Sequence, residues 1–359
     1  MKLYVYAIAK NEEKFAERWL ESMKEADGVF VLDTGSTDRT VEILKAGGAE
    51  VCRKIITPWR FDTARNESLK LVPDDADLCV CTDLDEVFHP GWRQAMEQAL
   101  TDNVTRLRYR YTWNFSSDGK ENVVFFTDKA HRKQGYFWKN PVHEVLISTE
   151  PETIATASGV QLDHHADPLK DRSSYLPLLE LSVKEDPDND RNAHYLGREY
   201  YFHGLYQKAI KTLSRHLSLP SSVWADERCA SERYLAKCFQ EIGNFSEAYR
   251  HLLAAIREAP HLREPWLDAA IFEYKRENWL GCAYFIEYAL LITERPTTYM
   301  TEAASWDATP YDLLSIAYYR MGLLDKAIEN IRRAMRYSGE ERLKKNLSIF
   351  ENEEIGKRD

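Results

Sequence analysis

A chain of 359 residues can bury one large core or two ordinary ones, and two domains suit this length better. Its composition, 44% hydrophobic and 30% charged, is that of a globular protein, and a net charge of −10 excludes extended binding along a nucleic-acid backbone, which needs clustered Lys and Arg. No apolar run approaches a membrane span, no leader precedes the strand-like opening at Lys2, and the six cysteines show no metal or disulfide spacing, so a reducing cytoplasm is the expected compartment.

From the N-terminus the pattern alternates. Strands are expected at 3–9, 29–33, 50–56 and 78–83, with helices at 12–24, 37–46, 62–71 and 90–100. Strands separated by helices of this length imply right-handed β-α-β crossovers and a mainly parallel, Rossmann-like sheet, with ligands at the carboxyl ends of its strands. Residues 105–163 alternate apolar and polar positions and contain turns, which predicts antiparallel strands added to that sheet. From about 168 the chain turns helical and self-similar. A Gly-x-aromatic/Leu-x-x-small motif begins at Gly204, Gly243, Glu277 and Gly322, intervals of 39, 34 and 45 residues. These intervals resemble tetratricopeptide (TPR) helix-turn-helix repeats, and the longest is explained by an insertion over 293–310 that is rich in breakers. The expected domains are therefore 1–167, α/β, and 168–359, a helical repeat.

Several polar clusters lie at the expected strand ends. Asn11 and Glu12 follow the first strand; Asp33-Thr34-Gly35-Ser36-Thr37-Asp38 closes the second; Asp62 and Arg65 open the third helix. The Asp33 cluster either leads a ligand to free backbone N–H groups or simply caps a helix through Ser36 or Thr37. The fourth strand runs into Asp83-Leu84-Asp85-Glu86, where two carboxylates spaced two residues apart on an extended strand would point the same way and share one hard divalent ion. Trp59, Trp92, Trp113 and Trp138 are either core or a stacking floor; Trp224, Trp266, Trp279 and Trp306 either pack helices or line an acceptor groove.

In this order and spacing, residues 1–165 resemble the inverting GT-A glycosyltransferases of family 2, with Asp83-Leu84-Asp85 as the D-x-D element, and the attached repeats match a bacterial and phage subgroup of them. The resemblance implies a hexosyltransferase that uses a nucleoside-diphosphate sugar, UDP-sugar first, with Mn²⁺ or Mg²⁺, and a peptide, protein or glycan acceptor. It places Asn11, Glu12 and Asp33 around the nucleoside, Asp62 and Arg65 near base or diphosphate, Asp83 near ribose and metal, and Asp85 on the metal. A further metal ligand is expected from His164, with His143 and His165 as alternatives, and a catalytic base from Glu144, with Asp163 as the alternative. The chain lacks the Gln-x-x-Arg-Trp element of processive members. The repeats are expected to bind the acceptor or to form a homodimer. The rival readings are a catalytically dead interaction protein and another kind of nucleotide-sugar enzyme.

Overall fold

The computed structural model describes residues 1–116, 119–167, 170 and 173–358. It divides into two compact units, Met1–Lys184 and Glu185–Asp359, so the boundary expected at 167/168 falls inside the first.

The first unit is built on an eight-stranded mixed sheet. Its strands are β1 (Leu3–Ala9), β2 (Gly28–Asp33), β3 (Glu50–Arg53), β4 (Leu78–Cys81), β5 (Glu86–Phe88), β6 (Arg106–Phe115), β7 (Glu121–His131) and β10 (Ile154–His164), in the order 3-2-1-4-7-6-10-5. Strands β3, β2, β1 and β4 run parallel, joined by α1 (Glu13–Ser22), α2 (Thr40–Ala46) and α3 (Phe61–Leu69). β1 lies between β2 and β4, so the chain leaves it in opposite directions, and the crevice at the carboxyl ends of these strands is where such sheets bind ligands.

Both faces of this sheet are buried, which explains the near-continuous apolar runs. Leu3, Val5, Ala7 and Ala9 of β1 pack with Phe15, Ala16 and Trp19 of α1, Leu44 of α2, and Trp92 and Met96 of α4 (Trp92–Ala99). The intervening Tyr6 joins Phe30, Leu69, Cys79 and Cys81 on the other face, under a separate hairpin of β8 (Tyr136–Lys139) and β9 (Val145–Ser148). The added strands are not uniformly antiparallel as the sequence suggests. β7 is antiparallel to β4 and β6, but β10 runs parallel to β6, and the short β5 is its antiparallel edge partner.

Behind β4 and β7 a chain of hydrogen bonds runs from Trp138 Nε1 to Tyr6 Oη (2.8 Å), from that hydroxyl to His131 Nε2 (2.8 Å), and from His131 Nδ1 to the Arg132 carbonyl (2.7 Å). Every member is satisfied with the imidazole neutral, and burial pushes the His131 pKa from its ordinary 6.5 down to about 3. The unfolded chain therefore takes up the proton first. Stability present above pH 6.5 is lost as pH falls toward 3, at up to about 1.4 kcal/mol per pH unit for this one group. Between pH 7 and pH 5 the stability gap between the native chain and His131→Gln should narrow by about 2 kcal/mol in urea titrations; a constant gap contradicts the assignment.

In the second unit, α6 (Asp190–Phe202) pairs with α7 (Tyr206–Ser218), α8 (Ala225–Glu241) with α9 (Phe245–Glu258), α10 (Arg263–Lys275) with α11 (Trp279–Leu291), and α12 (Thr309–Arg320) with α13 (Leu324–Ala334). Helix α14 (Glu341–Arg358) follows, while α5 (Tyr175–Glu185) lies almost wholly in the first unit. The repeated motif marks the turn inside each pair. Gly204, Gly243 and Gly322 have φ of +69°, +76° and +78°, and Ala209, Ala248, Cys282 and Ala327 are fully buried where paired helices meet. The loosest copy puts Glu277 at φ 57° in that left-handed position. Because only glycine adopts it without strain, and Glu277 is exposed, Glu277→Gly should raise stability by about 0.5–1 kcal/mol in chemical denaturation.

The insertion does not hang free. Arg263 donates to the carbonyls of Ile292 (2.7 Å) and Ser305 (3.2 Å) and lies 4.0 Å from the centre of the Trp306 ring. Fully buried Glu264 accepts from the Glu302 amide and from Trp306 Nε1, both at 3.0 Å. Trp224 meets Tyr299 edge-on, Trp266 stacks on Tyr288, and Trp279 packs on Tyr274, so all four tryptophans serve packing.

Candidate active site

β4 stops at Cys81, and Asp83, Leu84 and Asp85 form a turn rather than a continuing strand. The period-two rule therefore does not apply, and the two carboxylates face different partners. Buried Leu84 anchors the turn. Asp85 is buried and faces His164, whose Nε2 lies 3.5 Å from its Oδ2. The strand register explains the meeting: β5 and β10 pair Glu86 with His164, which brings the histidine beside the residue before β5. His164 Nδ1 donates to the Trp113 carbonyl (2.9 Å) and its ring stacks on the half-exposed Trp113 at 4.5 Å. That bond fixes the tautomer and turns the Nε2 lone pair toward Asp85, the arrangement a metal-ligating histidine needs. Burial alone would lower the His164 pKa, but the adjacent Asp85 carboxylate raises it overall. His165 is different: its amide holds the Asp85 carbonyl (2.8 Å) while its ring stacks on Phe115. Asp163 alternates to the opposite face from His164 and bonds His89 (2.8 Å) and Gln161 (2.7 Å).

Asp83 belongs to a second cluster. Arg65, buried on α3, donates from Nη2 to both Asp83 oxygens (2.8 and 3.1 Å) and from Nε to Glu144 (2.7 Å), with its guanidinium over the Trp138 ring. Lys129 on β7 bridges Glu86 (2.8 Å) and Asp83 (3.5 Å). Glu86, 1% exposed, also accepts from the Asp83 amide (2.9 Å) and Tyr111 Oη (2.8 Å). Burial opposes ionisation of Asp83, yet the charges of Arg65 and Lys129 outweigh it and hold its carboxyl well below the usual range. The same acids drive the pKa values of Arg65 and Lys129 up against the cost of burying them. Glu144 Oε1 is thus engaged by the buried Arg65 cation.

The remaining residues gather at the ends of β1 and β2. Asp33 is fully buried; its Oδ1 accepts from the Ser36 amide (2.9 Å), whereas Oδ2 makes no hydrogen bond among the described residues, with Arg53 3.4 Å away. Gly35 has φ +119°, and a Cβ there would meet Ile55 at 2.8 Å. Ser36 and Thr37 do not cap α2, which begins at Thr40 with Asp38 accepting from the Thr40 amide (3.0 Å). They join the two loops instead: the Asn11 amide donates to Ser36 Oγ (3.0 Å), and Asn11 Oδ1 accepts from the Thr37 amide (2.8 Å). Asn11 takes φ 57° to do so, a conformation typical of residues held in place at functional sites. Glu12 is buried at the start of α1; burial raises its pKa and Lys170, 2.8 Å away, partly reverses that. Asp62 is chelated by Arg60 (3.0 and 2.8 Å), which orders the start of α3. Lys129 is legible in the sequence only as one of a group of basic residues in the first half, and Glu86 as the third acid of its run; nothing local marks Lys170.

An acidic turn, a facing histidine and a buried acceptor thus gather at the carboxyl ends of the strands of a Rossmann-like sheet. Residues 4–146 match the model for glycosyl transferase family 2. Over 297 residues the chain is 24% identical to a TPR repeat-containing protein of Synechococcus elongatus, covering 77% of this chain and 72% of that one. Solved structures similar to it include a crystal structure of MamA (18% identity, TM-score 0.37, 45% of this chain and 85% of that one). Another is Pseudomonas aeruginosa pilF (14% identity, TM-score 0.38, 49% of this chain and 72% of that one).

Removing the central cation tests the cluster. Arg65→Met leaves Asp83 and Glu144 without their shared partner and should lower unfolding free energy by about 3–5 kcal/mol. Adding Glu144→Gln should cost less than the sum of the two single changes, by about 1 kcal/mol or more. Strict additivity in urea titrations would contradict the pairing.

Proposed function

We propose that the chain is a metal-dependent inverting glycosyltransferase that moves a sugar from a nucleoside diphosphate, UDP first, to a peptide, protein or glycan acceptor. The observation that carries this reading is the meeting of Asp85 and His164, far apart in the chain and brought together by the β5/β10 register. Two protein ligands, one hard oxygen and one oriented imidazole nitrogen, fit a divalent ion that keeps places for diphosphate oxygens. Asp85 and His164 would hold Mn²⁺ or Mg²⁺, which would supply charge to offset that of a departing diphosphate.

The other residues have roles that follow from their contacts. Asp33, with one buried oxygen lacking a hydrogen bond, is suited to accept from a nucleobase N–H or a ribose hydroxyl, and the Asn11–Thr37 and Asn11–Ser36 bonds set the loops around it. Arg65 and Lys129 hold Asp83 ionised, Lys129 also pairs with Glu86, and together they fix the turn that presents Asp85. Glu144 acts on this reading through Arg65, as a positioning residue. Free thiols at all six cysteines and the need for a nucleotide sugar favour the cytoplasm, and among the described residues no helix is long and apolar enough to cross a membrane. The helical repeats are the proposed seat of acceptor binding or of pairing with a second copy.

A panel of nucleotide sugars, each with and without Mn²⁺, should show one whose binding raises the melting temperature only with the metal. In Asp85→Ala that metal-dependent shift, and calorimetric donor binding with Mn²⁺ present, should disappear. Unchanged affinity in the variant would remove Asp85 from the metal assignment.

A further inference from the structure

A second group of metal-type side chains lies in the helical repeats, far along the sequence from the acidic turn. Asp190 is the first residue of α6, His216 lies near the end of α7, and Glu227 is in the first turn of α8. One ligand atom from each falls within 4.8 Å of the others. Ligands around a tetrahedral zinc ion stand roughly 3.4 Å apart, given bonds of about 2.1 Å, so a small contraction completes the geometry.

Two independent features favour a cation here over an ordinary polar contact. The first is charge. Glu227 is 4% exposed, and among the described residues neither Glu227 nor Asp190 forms an ion pair with a lysine or arginine. Buried carboxylates without such a partner are costly unless a cation or metal compensates them. The second is His216, which is 0% exposed. Its Nε2 faces Glu227 at 3.4 Å and Ser222 Oγ at 3.0 Å, while its Nδ1 has no hydrogen-bond partner. The bland alternative assigns Asp190 to the positive end of α6 and leaves His216 and Glu227 as a simple hydrogen-bonded pair. It leaves the buried Glu227 carboxylate beside His216 without a cationic countercharge.

We propose that Asp190, His216 and Glu227 form a structural zinc site that joins the first helix pair to the start of the second. One imidazole and two carboxylates, with water completing the shell, suit Zn²⁺. Glu227 also accepts from Tyr299 Oη at 3.4 Å, so the ion would steady the insertion as well as the three helices.

The test uses the full chain carrying Asp85→Ala, which removes the ion proposed for the donor site. After stripping with a chelator, added Zn²⁺ should raise the melting temperature by several degrees, and one zinc ion per chain should survive desalting as measured by plasma mass spectrometry. In that background Asp190→Asn and Glu227→Gln should each weaken zinc binding about 10-fold or more, with unchanged helical circular dichroism. Asp190 is part-exposed and its amide isosteric, so this variant should fold even where changes at His216 do not. Identical melting with and without zinc, or parental zinc affinity in both variants, would overturn the proposal.

Discussion

The buried guanidinium of Arg65 is the constraint around which the catalytic end of the sheet is arranged. Asp83, Asp85, Glu86 and Glu144 come from two segments, and such a gathering of carboxylates would repel itself apart or take up protons without cations among them. Arg65 and Lys129 supply those cations from α3 and β7, on opposite sides of the acidic turn in sequence. A buried ion pair of this kind adds little net stability over an apolar replacement, because desolvation offsets the attraction. Its value here lies in geometry. With Asp83 tied to Arg65, Leu84 buried and the Asp85 carbonyl held by the His165 amide, the turn has little freedom, and Asp85 reaches His164 in one orientation.

This arrangement divides the labour within the first unit. The parallel strands and their loops supply Asn11, Asp33 and the Gly35 turn. The later strands and the loops between them supply Lys129, Glu144 and His164. Without them Glu86 would lose Lys129 and Asp85 its histidine, and Asp83 would keep Arg65 alone. The added strands are thus part of the site.

Local pattern decides what the sequence reveals. The alternation of strands and helices through residue 100 is legible because each element carries its own periodicity and turn residues, and all four early strands lie within a few residues of their expected places. Strand β5 escapes notice since three residues carry no pattern, yet its register with β10 is what places His164. The preference for His164 over His165 rests on resemblance alone; strand alternation and the Trp113 carbonyl set where its ring lies. Glu144 was legible as an acid following an aromatic stretch. Its pairing with Arg65, 79 residues earlier in the chain, depends on α3 meeting the segment between β8 and β9, which no local signal encodes.

The helical unit shows the same limit in another form. Its repeats are visible because a left-handed turn followed by a small buried residue recurs in the sequence, and the insertion is visible as an irregular interval. Its position is not. Arg233 binds Asp268 of α10 and Glu302 of the insertion, Arg263 binds two insertion carbonyls, and Glu264 takes two of its donors. The segment therefore occupies the faces of α8 and α10 with hydrogen bonds and ion pairs of its own. An acceptor peptide using those two helices must replace each of these contacts, since leaving Glu264 or Arg263 buried and unpaired costs more than an ordinary hydrogen bond returns. The repeats can accept a partner at lower cost on faces their own chain does not already fill.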